Sequence, residues 1–168
     1  TLTPDGGAVV IAQQNGNVFV QETTPGAKPR PLASGGPVSR LALSPDGQRV
    51  LLNGNPSRLV EFDTGNPIPL PPGVDSPLDF APDGRLVGSA PRQQSLFGRL
   101  VSGGGGADLI LHDGKTGREE RRFEGGVSWA FHPDGDRMAV GERVGLGNRV
   151  RVLSLRSGEE KFAAPVDR

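Results

Sequence analysis

The sequence has no cysteine and no tyrosine, and only one tryptophan and one methionine in 168 residues. No disulfide framework, thiol nucleophile or thiolate metal site can be built from it, and the redox compartment is left open. A charge surplus is missing too: 19 basic side chains face 19 acidic ones, a formal net charge of zero. Without a basic surplus or a basic run interleaved with aromatics, the electrostatic footprint of nucleic-acid binding is absent, and no nucleic acid is expected as a partner. The longest apolar run, Ala8 to Ala12, falls far short of the roughly 20 residues that cross a bilayer. No membrane span and no secretory signal pattern are expected. A first residue of Thr1 rather than Met suggests a processed chain, an excised domain or part of something longer.

Residues that interrupt regular structure are abundant instead, with 26 Gly and 16 Pro. Long helices are therefore not expected. Balanced charge argues against disorder driven by net charge. A single domain of this length buries roughly 68–70% of its unfolded surface, so one sizeable core suffices.

Self-similarity organises the chain. Thr3-Pro4-Asp5-Gly6, Ser44-Pro45-Asp46-Gly47, Ala81-Pro82-Asp83-Gly84 and His132-Pro133-Asp134-Gly135 repeat one pattern, their Asp residues 41, 37 and 51 residues apart. That spacing is close to the period of about 40–45 that marks four-stranded propeller blades. Pro presets the second turn position, Asp can bond its own backbone, and Gly accepts the left-handed conformation, so each copy reads as a tight hairpin turn. Short apolar runs flank them. First strands are expected at Leu41 to Leu43, Leu78 to Phe80 and Trp129 to Phe131, with Thr1-Leu2-Thr3 as the end of another. Second strands are expected at Ala8 to Ala12, Arg49 to Leu52, Arg85 to Val87 and Arg137 to Val140. Third strands follow at Val18 to Val20, Arg58 to Phe62, Asp108 to His112 and Arg149 to Leu153. Shorter, polar fourth strands lie near Pro31-Leu32, Ile68 to Leu70, Arg118 to Phe123 and Glu159 to Phe162.

On these motifs the chain resembles the WD-repeat family of β-propellers in a degenerate bacterial form, with TolB-like propellers as the near alternative. Gly35 to Gly47 looks like the family's first strand and turn, and Leu109 to Gly117 like its third strand and exit. Phe62-Asp63 and His112-Asp113 occupy the places of the family's Trp-Asp dipeptide, and Gln21-Glu22 and Leu153-Ser154 are more eroded forms. The family's Gly-His dipeptide is missing, with Gly36 where His would stand. No Asp lies six residues before the Trp-equivalent positions, which hold Asn15, Pro56, Gly106 and Gly147. The resemblance implies an all-β fold: a β-propeller segment of about four four-stranded antiparallel blades, approximately 1–34, 35–73, 74–124 and 125–168. Because the family's rings usually hold more blades, the expected ring is completed by further blades or by a second copy, with a closed ring of four as the third reading; the compartment, bacterial cytoplasm or periplasm, is left open.

Little in the sequence carries chemistry. His112 and His132 have no partner at metal-ligand spacing, and Gly-x-Ser-x-Gly does not occur. The repeated Asp residues stand one per blade, too far apart to share a Ca²⁺ ion that takes about 6–8 oxygens. The run Gly103 to Gly106 lacks the Lys and Ser/Thr of a phosphate loop and reads as linker. Glu119-Glu120 and Glu159-Glu160 sit beside basic residues on outer strands, where charge discourages strand addition. No catalytic, cofactor-binding or metal-binding residue is expected, and the chain reads as no enzyme. Trp129 stands in for Leu41 of another first strand, which points to core packing. Asp79 replaces Ala42 and needs a partner if buried, with Arg40 or Arg85 as candidates.

One feature exceeds what a blade requires. Asp83 and Asp113 are 30 residues apart, where the first two units have 17 between the positions taken as equivalent. The excess falls within 88–107, between second and third strands, on the face that family members most often use to hold partners. Arg92, Gln93, Phe97 and Arg99, beside Gln94, offer an apolar anchor and donors of the kind enriched at binding hot spots. They are the candidate partner-binding residues; a tolerated surface insertion is the plain alternative. The resemblance implies a non-enzymatic scaffold for protein partners. The alternatives are a propeller attached to a kinase or hydrolase and a TolB-like periplasmic assembly component. A small-molecule pocket would be poorly supplied, with 7 Phe, one Trp and no Tyr.

Overall fold

The computed structural model describes residues 1–70, 75–91, 107–126, 128–144 and 147–166. Among them there is no helix. Fifteen strands form four antiparallel sheets, each running in chain order from one edge to the other. The first sheet holds β1 (Ala8–Ala12), β2 (Val18–Glu22) and β3 (Arg30–Ala33). The second holds β4 (Val38–Leu43), β5 (Arg49–Gly54), β6 (Arg58–Glu61) and β7 (Pro67–Ile68). The third holds β8 (Asp75–Phe80), β9 (Leu86–Pro91), β10 (Ala107–His112) and β11 (Glu119–Phe123). The fourth holds β12 (Ser128–Phe131), β13 (Arg137–Val144), β14 (Gly147–Ser154) and β15 (Glu160–Val166).

The four Pro-Asp-Gly copies are the turns that enter each second strand. The glycine N–H closes on the residue three back, Gly6 to Thr3 O at 2.9 Å, Gly47 to Ser44 O at 2.8 Å, Gly84 to Ala81 O at 2.9 Å and Gly135 to His132 O at 3.2 Å. These glycines have φ of 73°, 71°, 88° and 75°, a region that a side chain would strain. Each Asp carboxylate accepts the N–H two residues on, at 2.9 to 3.1 Å, from Gly7, Gln48, Arg85 and Asp136. The local chemistry of three residues therefore fixes four hairpins.

Strand register departs from the sequence reading in three places. The first sheet has three strands plus a single bridge, Leu2 to Val9, where a full first strand would stand. The hairpin β13–β14 is longer than its apolar cores suggested, pairing out to Val144 and Gly147, with Glu142 of the added length held by Arg149 at 3.3 Å and Arg151 at 3.0 Å. The dipeptide equivalent to His112-Asp113 in the second sheet is Val60-Glu61, not Phe62-Asp63. Gly65 N–H closes on Glu61 O as Gly117 N–H closes on Asp113 O, both at 2.9 Å, so Phe62 and Asp63 lie already inside the exit turn.

A strand with apolar residues on alternate positions at both faces must be covered on both faces, and the sheets cover one another in chain order. Ala8, Val10, Val18 and Val20 of the first sheet pack on Val50, Leu52 and Val60 of the second. The opposite face of the second, Leu51 and Leu59, packs on Leu78, Phe80 and Leu86 of the third. Val87, Leu109, Leu111 and Phe123 of the third pack on Met138, Val140 and Leu153 of the fourth, with Trp129 and Phe131 against them. Trp129 is thus a packing residue. Each sheet has a leading face, toward the sheet before it, and a trailing face, toward the sheet after it.

Leu51 is fully buried between the second and third sheets. Leu51→Ala should cost about 2–5 kcal/mol, the range for a leucine whose cavity cannot collapse, read as a lowered urea midpoint at unchanged slope. A cost below 1 kcal/mol, on the order of an exposed site, would contradict this packing.

Candidate interaction surface

The sheets are joined by more than apolar contact. Arg49, Arg85 and Arg137 are equivalent in register, because their carbonyls accept the N–H of Ser44, Ala81 and His132 that closes each hairpin. Arg49 reaches from the second sheet to Gly114 O of the third, with its guanidinium 5.4 Å from the centre of the Phe80 ring. Arg85 reaches from the third sheet to Leu155 O of the fourth at 3.3 Å, while holding Asp83 at 2.6 Å and Glu120 at 3.3 Å. Outer strands contribute a second set. Arg30 of β3 donates to Phe62 O at 2.7 Å and Asp63 O at 3.2 Å and lies 5.1 Å from the Phe62 ring centre. Arg121 of β11 donates to Arg156 O at 3.0 Å and Ser157 O at 2.9 Å. In every case the acceptor is the turn between third and fourth strands of the following sheet, whose carbonyls no ladder satisfies.

Toward the first strands the second and third sheets are tied again. Arg40 and Asp79 pair at 2.7 Å, so of the two candidate partners it is Arg40 that meets Asp79. The Asn53 side chain accepts from Leu78 N–H at 2.7 Å and donates to Leu78 O at 2.9 Å. His112 is buried, with Nδ1 3.2 Å from Gly117 O and Nε2 without a hydrogen-bond partner. His132 is exposed beside Asp134 at 3.1 Å.

Between the second and third sheets this turn face opens into a groove of about 620 Å³, lined by Asp46, Gln48, Arg49, Glu61, Asp63 and Lys115 among others. Its walls carry both signs of charge together with apolar surface, Ile68 among the lining residues. Among the described residues no group of three or more His, Asp or Glu side chains is placed to hold a metal ion.

Arg92, Gln93, Phe97 and Arg99 lie outside the described residues, as does Gly103 to Gly106. Their anchors are described: Pro91 pairs with Ala107 where β9 ends and β10 begins. In an up-and-down sheet that end is also where one sheet passes to the next, opposite the Pro-Asp-Gly turns. The sequence reading missed the cross-sheet arginines. The signal was present, since an Arg follows the Asp of three of the four Pro-Asp-Gly turns by two or three residues, but which carbonyl each one reaches is a tertiary fact.

No family model matches the chain, and no curated protein matches it in sequence. Solved structures do. The chain is similar to a dihydro-heme d1 dehydrogenase, NirN, in complex with DHE, at 19% identity and a TM-score of 0.65 over 99% of this chain and 36% of that one. It is similar to TolB from Acinetobacter baumannii at 17% identity and a TM-score of 0.59, over 93% of this chain and 41% of that one. Both are β-propellers, and the chain is a segment of that fold, built of four blade sheets. It spans well under two thirds of the length of either protein.

The site's titrating groups make stability depend on pH in two stages. Burial, above all, holds the His112 imidazole below its ordinary value. The unfolded chain takes up that proton near pH 6.5, so this contribution is complete above about 6.5 and is lost as pH falls toward the folded value. Asp113 is held below the carboxylate range by the Thr116 hydroxyl and N–H. For Asp46 burial acts upward, but the Ser44 hydroxyl, the Gln48 N–H and Arg49 outweigh it. Their contribution is complete above an unfolded value of about 3.9 and is lost below it. Denaturant midpoints should therefore fall first below about pH 6.5 and again below about pH 4. His112→Gln should remove the upper stage and Asp46→Asn with Asp113→Asn should shrink the lower one; midpoints with the same pH profile in these variants would contradict the assignment.

Proposed function

We propose that this chain is a non-enzymatic propeller segment that holds protein partners, related to WD-like blades. The observation that carries the reading is the lengthened connection between β9 and β10. A blade of this kind closes the same connection with a few residues, as between β5 and β6, and the added length of residues 92–106 supports a role in binding. Arg92, Gln93, Phe97 and Arg99 supply an aromatic anchor flanked by hydrogen-bond donors, a composition suited to a protein surface. The mixed charge of the groove between the second and third sheets supports the same reading from the opposite end of the blades.

A second reading is a TolB-like periplasmic assembly component, favoured by the likeness to TolB in fold. It too places partner binding, not catalysis, on the propeller. Both readings are tested by joining Pro91 to Ala107 through an Asn-Gly turn. Proteins cross-linked in cells to the intact chain should be lost from the shortened one, while its unfolding midpoint stays within about 0.5 kcal/mol of the parent, the size of a benign surface change. Equal recovery of the same proteins with both chains would remove the loop from partner binding.

A further inference from the structure

A titratable side chain stands where two other blades have an apolar one. His112, Val60 and Leu153 are equivalent, because the residue after each opens the exit turn with the same bond: Asp113 N–H to Arg118 O, Glu61 N–H to Asn66 O and Ser154 N–H to Glu159 O, all at 2.9 Å. All three equivalents are buried, His112 at 3% exposure. An apolar side chain therefore satisfies the packing at this place, and an imidazole is not required for it. His112 pairs in register with Leu86 of β9, and Leu86 packs with Leu51 and Leu59 of the second sheet. Cross-strand partners share a face, so the ring lies on the third sheet's leading face, inside the joint with the second sheet.

The ring is only half satisfied there. Gly117 O, 3.2 Å from Nδ1, can only accept, so the neutral ring carries its proton on Nδ1. Nε2 is buried and meets no partner among the described residues. A second proton lands on Nε2 and makes a buried cation whose new N–H has no acceptor, which is unfavourable away from water. The neighbour from β9 is the apolar Leu86. From β11, Glu119, which stands opposite His112, and Glu120 favour the charged ring while Arg122 opposes it. Arg122 already holds both Glu119 oxygens, at 3.2 and 3.0 Å. From the second sheet Arg49 and Glu61, a register pair in the rows of Leu51 and Leu59, face the same joint with one charge of each sign.

The same short turn latches the joint. The bond from His112 to Gly117 O spans the exit turn that presents Gly114 O to Arg49. Gly114 lies against Gly84 O with no room for a side chain, which seats the turn on the Pro-Asp-Gly hairpin of its own sheet. Arg49, Gly114 and Lys115 also line the groove between the second and third sheets. We propose that His112 is a proton-operated catch on this joint: the neutral ring packs between the sheets and holds the exit turn where Arg49 reaches Gly114 O, whereas the protonated ring leaves for water, the Arg49 bond is lost and the groove widens. The other two joints stay shut, since they carry Val60 and Leu153 at this place. The catch does not depend on the scaffold reading, because it concerns the joint and not residues 92–106.

Because the chain has no cysteine, spin labels placed in pairs on the full chain test it. Asp63→Cys with Lys115→Cys spans the groove, and Thr24→Cys with Asp63→Cys spans the exit turns of the first and second sheets. From about pH 7.5 to about pH 5, the range in which a histidine changes charge, the distance across the groove should lengthen and return on neutralisation. The other pair and the far-UV circular dichroism should not change. His112→Leu, the kind of residue found at the equivalent places, and His112→Gln, which takes up no proton, should each keep the groove distance constant over the same range. A constant groove distance in the parent chain, a lengthening that persists in both variants, or equal lengthening of both pairs would each overturn the catch.

Discussion

A sheet whose strands are apolar on both faces cannot stand alone in water, and every large feature of this chain follows from that constraint. Val50 and Leu52 turn one way, Leu51 the other, and all three are fully buried. One face can be covered only by the sheet before and the other only by the sheet after. The chain meets the demand with three interfaces of the same design. Their apolar rows exclude water, and arginines at the rim satisfy turn carbonyls that the strand ladders leave unpaired. Guanidinium groups suit the task, since one planar head can hold a carboxylate and a carbonyl together, as Arg85 does with Asp83, Glu120 and Leu155 O.

The division of labour along each blade follows. Pro-Asp-Gly turns and their arginines occupy one end, where they lock sheet to sheet. The opposite end carries the connections between sheets and the ends of β9 and β10, where Pro91 pairs with Ala107.

What could be read from the sequence was what is local. The hairpin turns were legible because Asp, Gly and their neighbours act within four residues, and the apolar runs fell on the strands, although β4 and β8 begin three residues before their runs and β9, β13 and β15 end four residues after theirs. Trp129 was legible as a packing residue from its place in the repeat. The exit of the second blade was not: Asp63-Thr64-Gly65 resembles an exit turn and drew the equivalence two residues too far, and only the bond from Gly65 to Glu61 O corrects it. The choice of Arg40 over Arg85 for Asp79, and the carbonyl each latch reaches, depend on how the sheets rotate against one another, which no residue spacing records. The length of β13–β14 escaped because no apolar run marks the added pairs, where Glu142 is held by Arg149 and Arg151.

The account stands on the order in which faces meet, and a double-mutant cycle measures that order directly. Leu51 and Leu78 share one buried cluster, whereas Leu51 and Leu111 belong to different ones on either side of the third sheet. Valine substitutions at Leu51 and Leu78 should couple by about 0.5–3 kcal/mol, and those at Leu51 and Leu111 should add to within about 0.5 kcal/mol, as neighbours and distant sites do. Additive losses at Leu51 and Leu78, or coupling of equal size in both pairs, would contradict the stacking of these sheets as successive blades.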